Sequence, residues 1–349
     1  MRIEGVPDLK REKFGEVHAA LGSVLQFWGL DVNPSEMMGV RSTRVGSGSE
    51  EDAMALAESK GLWTFASYGS LDQLKERVAH GVPVIVALQG NRDYRGKRWP
   101  VVVVGFDEQT KRILCHTGVG KPVVYEYAEF DRKWRPLRRW MLVACPAERP
   151  DWSLSVMELC TRAKFRFAKG QIDAAIADYR AAIKQQPGES AIHNALGNMF
   201  SQLGRLQDAE RCYRDAVTAN PDDSKARNNL AYFLADHGRN LDEAMDLAVH
   251  ATRVEPTNPL TLDTLGYIYL QKGQAEEAVD TLEQAHAYAL QLPPGQRAEI
   301  AIRLVRAQIE SGQIQRAREV VGDLMLLGPD VAVPSEFRAL MSPVAASIQ

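Results

Sequence analysis

The chain has 349 residues, 45% of them hydrophobic and 25% charged, with a net charge of −3. That is a globular composition with room for two ordinary domains. Its longest apolar runs, "PVIVAL" from Pro83 and "PVVVVGF" from Pro100, are strand-sized and far short of a bilayer span. Charge is uneven: residues 1–150 hold 22 Lys and Arg against 19 Asp and Glu, and residues 151–349 hold 20 against 26. The asymmetry is too small to select a class of partner.

The start, "MRIEGVPDLKREKFGE", lacks the apolar core of a secretory signal, so the chain as written is expected in the cytoplasm, or in the periplasm or outside if a signal was removed. Apolar spacing predicts helices near 16–29, 49–60 and 70–79. Strands follow at "PVIVALQ" (83–89), "PVVVVGFD" (100–107), "RILCHT" (112–117), "PVVYEY" (122–127) and "RRWMLVACP" (138–146). Helices followed by strands imply an α+β domain over 1–150, with an antiparallel sheet packed on the first helix. Cys115, Cys145, Cys160 and Cys212 follow neither metal-ligand nor disulfide spacing and read as reduced packing residues; no metal or cofactor is expected.

After a short linker at 151–155 the chain repeats itself. Pro187 and Pro221 lie 34 residues apart, and Pro256 and Pro329 close later units. Gly170, Gly204, Gly238 and Gly273 stand at the turns, and Ala175, Ala209, Ala244 and Ala278 stand where a second helix must approach the first. The pattern resembles the tetratricopeptide repeat, in five units at 156–189, 190–223, 224–258, 259–292 and 298–329, with a tail at 330–349. The third unit has an extra residue near Asn240, and "PPGQR" (293–297) reads as an insertion. Such hairpins stack into a solenoid whose concave groove is lined by the first helix of each pair and binds peptides or proteins. In frame, the peptide-binding candidates are Asn194, Asn198, Asn228, Asn229, Tyr232, Asp263 and Tyr267. Leu260 and Thr264 occupy positions where a carboxylate clamp would put cations, so that clamp is not expected. The amides suit an extended peptide backbone; equally, they are ordinary repeat consensus.

The front half carries a second resemblance. "VPDLKREKFGEVHAALGSVLQFWGLDVNPSEM", "SLDQLKERVAHGVPVIVAL", "WPVVVVGFDEQTKRILCHTG" and "EFDRKWRPLRRWMLVACP" are similar, in order and spacing, to the papain-like bacteriocin-processing peptidases that cut after double-glycine leaders. The resemblance implies a papain-like fold and assigns four chemical positions. Arg11 falls where the family has its oxyanion Gln, Glu16 at the nucleophilic Cys, Trp99 at the basic His and Thr117 near the orienting acid. A thiol at a helix start and an adjacent imidazole perform the family's chemistry, and neither Glu nor Trp substitutes for them. The expectation is a degenerate peptidase and a non-catalytic scaffold, binding a protein or extended peptide in the repeat groove and a leader-like peptide in the old cleft. Two alternatives stay open: an active cysteine peptidase rebuilt from Cys115, His116 and His18, and a repeat scaffold with an inert N-terminal cap. Basic, aromatic segments at 91–99 and 131–140 suit an acidic protein surface better than nucleic acid.

Overall fold

The computed structural model describes residues 1–10, 16–33, 49–90, 98–328 and 332–340. The chain divides into two compact units, 1–182 and 183–349. A mixed α/β domain comes first, and an all-α solenoid of tetratricopeptide type follows it.

The first unit is built on a six-stranded antiparallel sheet of order β1-β6-β2-β3-β4-β5. The strands are β1 (Trp63–Tyr68), β2 (Val84–Gln89), β3 (Arg98–Asp107), β4 (Arg112–His116), β5 (Val123–Glu126) and β6 (Trp140–Cys145). Val101 to Val104 are each at most 1% exposed, so both faces of β3 are covered, as its unbroken apolar run demands. Helix α1 (Glu16–Phe27) packs on β3 through a face that includes the buried Ala20, Leu21, Val24 and Leu25. Helix α2 (Ser49–Ser59) packs on β1, and α3 (Leu71–Ala79), which opens with a Ser70–Gln73 capping box, packs on β2 and β3. The opening residues also join the sheet: Ile3 N–H donates to the Val104 carbonyl, and Gly105 is needed where Met1 O would lie 2.8 Å from any Cβ.

Two elements escape the sequence reading. β1 offers only six residues with no clean alternation, and it becomes a strand because α2 and the first repeat helix cover it. Helix α4 (Tyr127–Trp134) lies in a stretch taken as strand end and basic segment; Phe130 and Trp134, one turn apart and fully buried, pull it onto the sheet.

The first repeat hairpin, α5 (Val156–Ala168) and α6 (Ile172–Gln185), belongs almost wholly to this unit. Arg77 of α3 donates to Glu158 of α5 at 2.9 Å, with both side chains at most 4% exposed. Glu158 also receives Ser155 N–H and Oγ–H, closing a capping box, and the Arg77 guanidinium lies over the Trp152 ring at 4.8 Å. Arg162 and Arg166 both grip Asp178 and also donate to the Ala147 carbonyl.

The second unit continues with α7 (Ser190–Gln202), α8 (Leu206–Ala219), α9 (Ser224–Asp236), α10 (Leu241–Val254), α11 (Pro259–Gln271), α12 (Ala275–Tyr288), α13 (Pro294–Glu310), α14 (Ile314–Met325) and α15 (Ser335–Leu340). The extra residue of the third unit is taken up at Asn240, left-handed at φ 38°, whose side chain caps α10. Residues 293–297, read as an insertion, are instead the entry and first turn of the 17-residue α13, because Pro at the first helical position starts a helix without losing a hydrogen bond. Val333 and Phe337, from the segment read as a tail, pack into the last core cluster beside Val321 and Leu324.

The buried pair between α3 and α5 gives a direct test. Glu158→Ala leaves the Arg77 charge buried with only the half-exposed Glu76 beside it, at a loss of about 3 kcal/mol. All six tryptophans fall within residues 1–152, so thermal unfolding followed by tryptophan emission reports this unit. Its midpoint drops clearly in Glu158→Ala and less in Glu158→Gln, which keeps the hydrogen-bond acceptor.

Candidate functional site

Two regions answer to the sequence reading. The first lies where the opening turns of α1 meet the start of β3 and the end of β4. Ala19, Ala20 and Ser23 come from α1, Pro100 and Val102 from β3, and His116 and Thr117 from β4 and just beyond it. Together with Asp8 they enclose a cavity of about 10 Å³, room for a single water. Arg11 lies outside the described residues, and of Glu16 only its place as first residue of α1 is described. Trp99, half-buried, sits one residue before the cavity wall on β3, opposite Leu88. Thr117 is 6% exposed and its hydroxyl is buried without a hydrogen-bond partner, as is Oδ2 of Asp8.

The remaining groups here are held by backbone. Ser23 Oγ donates to Ala19 O at 2.8 Å and accepts from Leu9 N–H, Asp8 Oδ1 accepts from Gly118 N–H at 2.8 Å, and His116 Nδ1 is 3.4 Å from Pro7 O. Neither Asp8 nor Ser23 was anticipated, because Asp8 meets its partner across 110 residues. Cys115, next to His116 in β4, does not line the cavity, and complete burial pushes its thiol far above the ordinary range. Cys145 is likewise pushed up, to about 12.

The basic segment at 131–140 is partly spent on internal contacts. Arg139 makes a bidentate pair with Asp131 at 2.7 and 3.2 Å, holding that carboxyl below its usual range, and the Arg138 guanidinium lies 4.6 Å over the Tyr68 ring. Arg138 and Arg139 are both left-handed, φ 55° and 56°, a strain of about 1–3 kcal/mol each that these contacts offset. Residues 91–97 lie outside the described residues.

The second region is the row of first helices in the second unit. Asn194 of α7, Asn228 of α9 and Asp263 of α11 occupy one position in successive repeats, and Asn198, Tyr232 and Tyr267 occupy the position one turn on. Both amide atoms of Asn194, Oδ1 of Asn228 and Oδ1 of Asp263 are buried without a hydrogen-bond partner in the protein. Each such group costs about 1–3 kcal/mol when left dry, so ordered water or a bound polar group is expected to meet the row. Asn229 is half-buried and does not line the neighbouring pocket. Thr264 donates to Leu260 O, and neither supplies a cation.

Arg303 of α13, a cation beside these rows, lies inside the fifth unit as read from sequence, 298–329, where the sequence reading places no groove residue. Its guanidinium lies 5.4 Å from the Tyr232 ring and 4.8 Å from the Tyr267 ring, donates to Tyr232 Oη at 3.3 Å and pairs with Asp263. The two tyrosine rings are 5.8 Å apart. Beside them a cavity of about 210 Å³ is lined by Asn198 and Gln202 of α7, Tyr213 of α8, and Tyr232, Asp236 and His237 at the end of α9. Tyr213 Oη donates to Asn198 Oδ1 at 2.7 Å, and Tyr267 Oη donates to Asp236 at 3.4 Å. Among the described residues no group of three or more His, Cys, Asp or Glu side chains is arranged to hold a metal ion, and no helix is long and apolar enough to cross a membrane.

Burial pushes Asp263 up to about 6, against the opposing pull of the Arg303 charge and with Glu299 adding to the rise. An ordinary aspartate titrates near 3.8, so between about pH 4 and 6 the folded array holds a proton that the unfolded chain has released, and stability falls as pH rises through that window. A carboxyl-carbon NMR titration of the full chain is expected to place Asp263 near 6 and to move it higher in Arg303→Met. A midpoint below the ordinary value contradicts this geometry.

Comparison with known proteins bears on the second part of the chain. The tetratricopeptide repeat family model matches residues 166–231 and 270–342. A tetratricopeptide repeat-containing protein of Pseudomonas aeruginosa is 26% identical over 139 residues, which is 40% of this chain and 23% of that protein. A repeat-containing thioredoxin of Arabidopsis thaliana is 33% identical over 82 residues, 24% of this chain and 12% of that protein. The chain thus spans less than a quarter of the length of either relative. Among solved structures, that of Pseudomonas aeruginosa pilF superposes with a TM-score of 0.45 at 18% identity, covering 52% of this chain and 79% of the other. The family match and the two relatives agree with a tetratricopeptide-like repeat architecture in the second part of the chain.

Proposed function

We propose that the protein is a non-catalytic scaffold: a papain-like domain that has lost its reactive groups, joined to a repeat array that holds an extended protein segment on its concave face. The observation that carries the reading is the row of Asn194, Asn228 and Asp263, whose buried polar atoms lack partners beside the exposed Tyr232. An extended backbone supplies alternating N–H and C=O groups, which is what amides and a carboxylate spaced one per repeat can use. Arg303 is already neutralised by Asp263, which argues against a terminal carboxylate as the anchored group.

The first domain bears on the pseudoenzyme part in three ways. The opening turns of α1 pack on β3 of an antiparallel sheet with the end of β4 beside them, which is in keeping with such a site, while Trp99 alternates with the cavity-lining Pro100 and Val102 and so takes the other face of β3. Its chemical positions read Arg, Glu, Trp and Thr, and the Cys115 thiol beside it is held firmly protonated. Among the described residues the cavity there is about 10 Å³, a size for water, and a leader-like peptide in the old cleft stays a secondary part of the proposal beside the array.

Two experiments test the reading. Incubated with a thiol-directed peptidase probe, the full chain is expected to remain unlabelled. Stoichiometric labelling at Cys115, with proteolysis lost in Cys115→Ala, overturns the scaffold reading in favour of a displaced nucleophile. The inherited framework itself is read by Glu16→Cys with Trp99→His. The new thiol is expected to alkylate with an apparent pKa below the usual value of about 8.5, and to lose that shift without the histidine. Identical alkylation profiles with and without the histidine argue against a shared cleft.

A further inference from the structure

We infer that the cavity between α7 and α9 is a subsite for a basic side chain, the lysine or arginine of the bound segment; this deepens the peptide-binding reading and rests on it. The cavity opens beside four features that each favour a cation. Ser201 and Gln202 end α7, and Asp236 ends α9, so two helix C-termini, the negative ends of their dipoles, meet at one place. Asp236 adds a full negative charge where the helix dipole already disfavours one. Among the described residues the basic side chain recorded within ion-pair distance of it is His237, at 3.9 Å, and no lysine or arginine. Its hydrogen bond from Tyr267 leaves acceptor capacity on both carboxylate oxygens.

The walls point the same way. Tyr232, 36% exposed, and the buried Tyr213 both line the cavity, and aromatic faces attract ammonium and guanidinium groups. Asn198 Oδ1, although it already accepts from Tyr213, retains a second lone pair. The Arg303 charge near Tyr232 is balanced by Asp263, so it does not cancel the field of Asp236. At larger scale residues 183–349 carry 15 Lys and Arg against 22 Asp and Glu, which favours a basic partner. A volume of about 210 Å³ accepts a long, flexible basic side chain.

The test is a selection of phage-displayed random dodecapeptides on the full chain, followed by fluorescence anisotropy with the selected peptides. Selected peptides are expected to share one lysine or arginine at a fixed position, and norleucine there weakens binding about tenfold. Asp236→Asn, a change at an exposed helix end, is expected to weaken the basic peptide about as much while leaving the norleucine peptide unaffected; Tyr232→Leu acts in the same direction. Peptides that bind without a fixed basic residue, or an equal norleucine penalty in wild type and Asp236→Asn, overturn the subsite but leave the groove reading intact. Failure to select any binder overturns both.

Discussion

The groove depends on how closely the two helices of each hairpin approach. A Cβ on Gly197 would lie 2.9 Å from the Tyr213 ring, and one on Gly266 would lie 2.5 Å from Leu282. Ala231 takes the same position in the repeat between them and is fully buried. On the facing helices Ala175, Ala209, Ala244 and Ala278 are all at 0% exposure. With no bulk at the contact, the two helices of each hairpin approach closely, and a 34-residue period in sequence places equivalent side chains in successive repeats at one position of the first helix. Asn194, Asn228 and Asp263 are one such row, and Asn198, Tyr232 and Tyr267 are the next.

A row of this kind is expensive unless used. Burying amide and carboxylate atoms without partners opposes folding, and the array offsets it by burying apolar side chains such as Phe200, Leu234, Ile268 and Leu304. The first unit also buries charge in pairs: Arg77 with Glu158, and Arg162 and Arg166 with Asp178. Such pairs add little net stability, and here they tie the first hairpin to the sheet-bearing domain. Unpaired buried polar atoms occur in both units: in the first they include Thr117 and Asp8 at the small cavity, a site sized for water, and in the second they include the row of Asn194, Asn228 and Asp263.

The sequence was most legible where periodicity is strong. Five helical hairpins followed from recurring Gly, Ala and Pro, since each of those residues has one mechanical role at its place. The strands β2 to β6 followed from apolar runs. What failed depended on context at a distance: β1 becomes a strand by being covered, and α4 forms because Phe130 and Trp134 find a core that the sequence does not display. Arg303 stayed hidden because its partner Asp263 lies 40 residues away, and Asp236 because its meaning comes from a neighbouring helix end and a tyrosine 31 residues away.

The central claim, that this protein acts by holding a chain segment against the first helices of its repeats, is tested most directly by site-specific crosslinking. A photoreactive phenylalanine analogue is placed at Tyr267 in the groove and, separately, at Arg211 on the second helix of a hairpin, and crosslinked peptides are sequenced after irradiation in cells. The account predicts capture of one defined polypeptide segment from position 267 and none from position 211. Equal capture from both positions, or capture from position 211 alone, would contradict it.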